Sequence, residues 1–120
     1  MKQLFIATLC LIYFEAYSQE YFMLVGMYDS PDSNGIMVMR FNSNTGQAQF
    51  VGNHQLSNAS FLTVSPDEKY VYAVSEVARK DASGGEVIAF AFNKQNGMLT
   101  LLNRQHSGGD HPCHIEIDKT

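Results

Sequence analysis

The sequence predicts an all-β protein, and three observations carry that prediction. Apolar and polar residues alternate in short runs at 21–28, 36–42, 70–75 and 87–93, where β-branched and aromatic side chains concentrate. Turn-forming clusters separate the runs, at 29–35, 44–46, 65–69, 83–85 and 95–97. No i, i+3, i+4 apolar stripe is long enough to bury one face of a helix. With 120 residues, 45% hydrophobic and 17% charged, the composition is that of a folded domain rather than a disordered tail. Eight Lys and Arg stand against twelve Asp and Glu, a net charge of −4 without any block of like charge, which argues against nucleic acid as a partner.

The first segment, residues 1–18, stands apart from the rest. It reads Met1-Lys2-Gln3, an apolar run over 4–14 broken only by Thr8, and then Glu15-Ala16-Tyr17-Ser18. A positive end, a short greasy core and a small-x-small exit form the pattern of a secretory signal peptide, with cleavage expected before Gln19. That core is too short to span a bilayer, and Leu9 ahead of Cys10 does not fit a lipoprotein signal. The expectation is an exported protein, periplasmic or secreted, with no membrane anchor after signal removal. Cys10 leaves with the segment, so Cys113 has no disulfide partner within residues 19–120.

The remaining residues, 19–120, repeat. Residues 36–46 align with 87–97 at a shift of 51, with Phe, Asn and Gly coinciding, and 60–65 align with 113–118 at a shift of 53. Residues 21–26 mirror the strand that ends Tyr72-Ala73-Val74-Ser75. A four-strand unit of roughly 50 residues is the blade of a β-propeller. With strands lettered A to D from the axis outward, one blade is complete: A at 60–64, B at 70–75, C at 86–93 and D at 98–104. Strands B, C and D of a first blade precede it. Strand A of a third is expected to follow at 113–117, making Cys113 a buried inner-strand thiol. A ring needs at least about four blades. The chain therefore reads as the amino-terminal part of a longer protein whose missing C-terminal blades complete the ring, with the first blade's inner strand drawn from the far end of that chain. Two open blades leave strand edges that invite aggregation.

Several runs together carry a family resemblance. They are Val-Gly-Met-Tyr (25–28), Gly-Ile-Met-Val-Met-Arg-Phe (35–41), Thr-Gly (45–46), the stretch 60–76 around Ser-Pro-Asp-Glu-Lys-Tyr, Leu-Leu-Asn-Arg-Gln (101–105) and Ser-Gly-Gly-Asp-His-Pro-Cys-His-Ile (107–115). In this order they resemble the bacterial 6-phosphogluconolactonase family of seven-bladed propeller lactonases, over essentially all of residues 20–120. The Ser-Pro-Asp turn recurs in many propellers, whereas Ser-Gly-Gly-x-x-Pro-Cys-His after Leu-Leu-Asn-Arg-Gln is specific. The resemblance implies hydrolysis of 6-phosphoglucono-1,5-lactone to 6-phosphogluconate in the intact protein, a small sugar lactone as partner, and neither metal nor cofactor. The chain departs from the family at Ser75, where the pattern has Asn. It also departs in its signal peptide, since the resemblance implies a cytoplasmic enzyme, so an exported relative acts on a different lactone.

In a four-strand meander the ends of B and D and the start of the next A share one face. That face gathers Glu76, Arg79 and Lys80 after one B strand, Arg104, His106, Asp110 and His111 following D, and His114 near the start of the third A strand by the axis, with Asp29, Asp32 and His54 from the first blade. Lactone hydrolysis needs a water, a base for its proton, and a cation or donors for the oxyanion. Histidine titrates in the right range, so His114 is the expected base or oxyanion donor, with Glu76 as its partner or orienter. Arg104 is the cation expected to meet a substrate carboxylate or phosphate, with His111 also in substrate binding. His111-x-x-His114 does not read as a zinc site, because i and i+3 on a strand point to opposite faces. Asn58-Ala59-Ser60 is a formal glycosylation triplet. The competing reading is an exported, non-catalytic propeller that binds a ligand or a protein, with a muconate-type cyclase more distant.

Overall fold

A computed structural model describes residues 19–78 and 84–118. The expected signal segment, Arg79 and Lys80 lie outside the described residues. Seven strands follow in order: β1 (Glu20–Ser30), β2 (Ser33–Asn42), β3 (Ala48–His54), β4 (Leu62–Val64), β5 (Tyr70–Ser75), β6 (Glu86–Phe92) and β7 (Leu99–His106). They form two antiparallel meanders, β1-β2-β3 and β4-β5-β6-β7, and no helix occurs among the described residues. This is the B, C and D of one blade followed by the complete A to D of the next.

The repeat extends below the level of residue identity. Asn42 and Asn93 each close a hairpin in the same way. The Gly46 amide donates to the Asn42 carbonyl at 2.8 Å, and the Gly97 amide to the Asn93 carbonyl at 2.7 Å. Each Asn side-chain oxygen also accepts two amides from within its turn. Gly46 and Gly97 take φ of 71° and 76°, a region open to glycine at little cost. The ladder slips between Val38 and Met39 in one blade and between Ala89 and Phe90 in the other, which leaves Val51 and Leu102 as the extra residues. All of these pairs are 51 positions apart.

The core lies between the two sheets. Ile36 from the first blade meets Val71, Ala73, Ile88 and Phe90 from the second, and Leu56 and Ala59 of the connecting segment fill the space between them. A Cβ on Gly26 would run into the Ala59 carbonyl, so this segment lies directly against β1 because residue 26 has no side chain. Phe22 packs edge-on against Phe92 at 5.7 Å, and its ring lies over Gly97.

Three expectations are corrected. Residues 113–117 form no strand; an inner strand bonds to strand B of its own blade, and no such strand follows among the described residues. For the same reason Cys113 is exposed rather than buried. Strand A of the complete blade is shorter than expected, because the Ser60 amide turns back onto the Asn58 carbonyl at 2.8 Å.

Candidate active site at the rim of the two blades

Strand register shows how the rim is assembled. Gly26 pairs with Ile36 in the first blade as Val74 pairs with Val87 in the second, so Tyr28 and Glu76, two residues further on, hold equivalent register positions, Tyr28 near the end of β1 and Glu76 just past β5. Neighbouring blades bring the two together, and the Tyr28 hydroxyl donates to Glu76 Oε2 at 2.7 Å. Ser60 lies beside them. Its Oγ is shielded from solvent and stands near enough to the carboxyl to act on its charge, outside the geometry of a full hydrogen bond.

The Glu76 carboxyl is held below its ordinary value, first by the Ser60 hydroxyl, then by the Tyr28 hydroxyl, with His111 adding to the effect against an opposing desolvation. Tyr28 is pushed up, chiefly because its proton is engaged by Glu76. At neutral pH the couple is therefore a carboxylate and a protonated phenol.

His111 reaches the rim through its main chain, its amide donating to the Val77 carbonyl at 3.2 Å with φ of 53°. His114 is exposed, its ring tilted over Phe61 at a centroid distance of 4.6 Å. Glu76 and His111 thus meet beyond the end of β5, whereas His114 is placed by Phe61. The histidine that acts on the Glu76 carboxyl is His111.

Other expected residues go elsewhere. Arg104 lies on β7, two ladder spacings out from β5, and its Nη1 donates to Glu86 Oε2 at 3.1 Å. Glu86 is 7% exposed. His54 packs edge-on against Phe90 at 4.6 Å between the blades, and burial, followed by the Arg104 charge, lowers its pKa. Asp32 sits in the turn between β1 and β2, His106 ends β7 opposite Glu86, and Asp110 follows in an exposed bend. Asp29 belongs to a polar cluster behind the rim. Its carboxylate accepts from the Ser57 hydroxyl and the Asn58 amide, which together hold its pKa low.

Ser75 closes the same cluster, its buried hydroxyl donating to the Ser57 carbonyl at 2.7 Å. The residue that departs from the family pattern thus has a structural task. The Asn58 side-chain nitrogen is bound to the Glu76 carbonyl at 3.2 Å, so the glycosylation triplet is occupied by the fold. Sequence reasoning assigned no role to Tyr28, Ser60 or Asn58. The register equivalence of Tyr28 with Glu76 is the signal that would have found the first. Among the described residues no three His, Cys, Asp or Glu side chains come together as a metal-binding group.

A propeller with a polar rim of this kind matches a known family. Residues 22–120 fit the family described as "Lactonase, 7-bladed beta-propeller", and the chain belongs to it. Among its relatives is the 6-phosphogluconolactonase of Formosa agariphila, 40% identical over 100 residues, which are 82% of this chain and 28% of that protein. Another is the 6-phosphogluconolactonase of Bacillus subtilis, 31% identical over 64 residues. A crystal structure described as a candidate 6-phosphogluconolactonase from Bacteroides fragilis matches with a TM-score of 0.76 at 40% identity, over 82% of this chain and 27% of that one. The periplasmic gluconolactonase of Pseudomonas aeruginosa matches with a TM-score of 0.71 at 31% identity, over 78% and 27%. The chain therefore matches 28% of the Formosa relative, 17% of the Bacillus relative and 27% of each of the two solved structures.

Proposed function

We propose that the full-length protein is a lactonase that hydrolyses a sugar lactone of the gluconolactone type, with part of its active site at this rim. The observation that carries the reading is the Tyr28–Glu76 couple with His111 acting on its carboxyl, and with His114 stacked on Phe61, in a family of lactonases. Water attacks the lactone carbonyl while a rim imidazole, His114 by position, takes its proton. The tetrahedral intermediate then expels the ring oxygen, which recovers that proton, and the product is the open hydroxy acid. A lowered carboxyl is a weak base, so Glu76 acts as the fixed charge that orients Tyr28. Substrate hydroxyls and the developing oxyanion meet hydroxyl and imidazole donors here. His111 supports substrate binding; Arg104, tied to Glu86, is drawn away from this cluster.

The test is hydrolysis of gluconolactone and its 6-phosphate by the full-length protein, beside His114→Ala and Glu76→Gln. Enzymatic rates that drop by about a hundredfold in each variant support the reading. No rate above spontaneous opening would favour a non-catalytic binding propeller instead. We also propose export, supported by the signal-like order of residues 1–18 and by a periplasmic relative. Amino-terminal sequencing of the exported protein should begin at Gln19.

A further inference from the structure

We propose that Asn58 is the positioning residue of this rim, setting the distance between Tyr28 and Glu76 through the main chains of their strands. Four bonds carry the argument, two toward each blade. The Asn58 amide donates to Asp29 Oδ1 at 3.1 Å, and its Oδ1 accepts from the Asp29 amide at 2.9 Å, which fixes the residue next to Tyr28. On the other side, the Glu76 amide donates to the Asn58 carbonyl at 3.0 Å, and Asn58 Nδ2 donates to the Glu76 carbonyl at 3.2 Å. One residue thus spans β1 of one sheet and β5 of the next with all of its polar groups engaged.

Its backbone makes this possible. Asn58 takes φ of 44°, a left-handed conformation in which asparagine is several-fold enriched among non-glycine residues. That turn also sends Ala59 under Gly26 and Ser60 toward the Glu76 carboxyl. Glycine would accept the conformation but supply neither side-chain bond. Aspartate would keep the acceptor, lose the donor to Glu76, and set a second carboxylate beside Asp29. Alanine would lose both bonds and be strained. Asparagine alone among these meets every requirement.

The kcat arm of the test rests on the lactonase reading, and a spectroscopic arm does not. In the full-length protein, Asn58→Gly is compared with Ser75→Ala, which removes the bond to the Ser57 carbonyl and none of the four bonds of Asn58. The Tyr28 phenol is titrated by NMR of 13Cζ-labelled tyrosine, its signal assigned by loss in Tyr28→Phe. Asn58→Gly should lower kcat on gluconolactone by about ten- to a hundredfold, as sub-ångström to ångström misplacement does, with KM little changed. The Tyr28 titration should move down toward that of an ordinary phenol, and in Ser75→Ala both readouts should stay at wild-type values. A wild-type Tyr28 titration in Asn58→Gly, or the same shift in Ser75→Ala, overturns the proposal. If Asn58→Gly does not fold, Asn58→Asp is titrated in its place, and an unchanged Tyr28 signal again overturns it. If the wild-type protein hydrolyses no lactone, the functional reading falls while the titration still decides the role of Asn58.

Discussion

At one end of the blades, residues 42–46 and 93–97 make the same turn with the same bonds, and each turn is complete within six residues of sequence. At the other end of the same strands, Tyr28 finds Glu76 across 48 residues and Asp29 finds Asn58 across 29. The first end is repeated because local chemistry suffices to form it. The second joins one blade to the next, so its residues differ between blades, as Tyr28 and Glu76 do at one register position. Stability in such a fold can be written locally, while the side chains that carry chemistry collect where distant segments meet.

The largest expected effect is at the rim. Glu76→Gln should cut kcat on a hydrolysable lactone by about a hundredfold or more, since the fixed charge disappears and an amide stands in its place. Tyr28→Phe should cost less, about tenfold. It should also shift the acid limb of the pH–rate profile upward. The Tyr28 hydroxyl is one of the groups that hold Glu76 low, so its loss raises the pH below which the carboxylate protonates. A profile that falls in height without moving would break the link between the two residues.

The turn end gives the next largest effect and sharpens the contrast. Gly46 and Gly97 share a positive φ, so alanine costs each about 1 kcal/mol of backbone strain. A Cβ at Gly46 meets nothing within 4 Å, whereas one at Gly97 would lie 2.6 Å from the ring of Phe22. Gly97→Ala should therefore destabilise the full-length protein by about 2–3 kcal/mol in chemical denaturation, against about 1 kcal/mol for Gly46→Ala. Equal losses would mean that the turn alone sets the cost. Ser75→Ala falls between them, at about 1–2 kcal/mol, because it leaves the Ser57 carbonyl without its buried donor.

The same contrast explains what could be read from the sequence. The blade order, the hairpin turns and the strands at 70–75 and 86–93 followed from period-two alternation and Asn-to-Gly spacing, which are local. The meeting of Glu76 and His111 followed from topology, because the end of a B strand and the segment after a D strand share a face whatever the side chains are. Arg104 did not. Its position toward the end of a D strand gave the correct end of the blade but not the radial distance, and its partner Glu86 lies 18 residues earlier on β6. Asn58 was hidden for a further reason: its role depends on a left-handed backbone that nothing in Ser57-Asn58-Ala59 requires by itself.

The smallest expected effect lies between the blades, at His54. Its ring packs on Phe90 beside Arg104, so the neutral imidazole is favoured in the folded protein and its pKa lies below the ordinary 6.5. The unfolded chain takes up this proton first as pH falls, so the contribution is complete above about pH 6.5 and is lost as pH drops through the lowered folded value. Asp29, Asp67 and Glu76, held low by their own hydrogen bonds, lose their contributions only below the ordinary carboxylate range. The two windows are therefore separable. Denaturation midpoints of the full-length protein measured from pH 7 to 5 should decline with a slope of less than one proton from this site. His54→Gln, which cannot protonate, should flatten that decline and leave the carboxylate window in place. An unchanged decline would move the pH sensitivity away from the contact between blades.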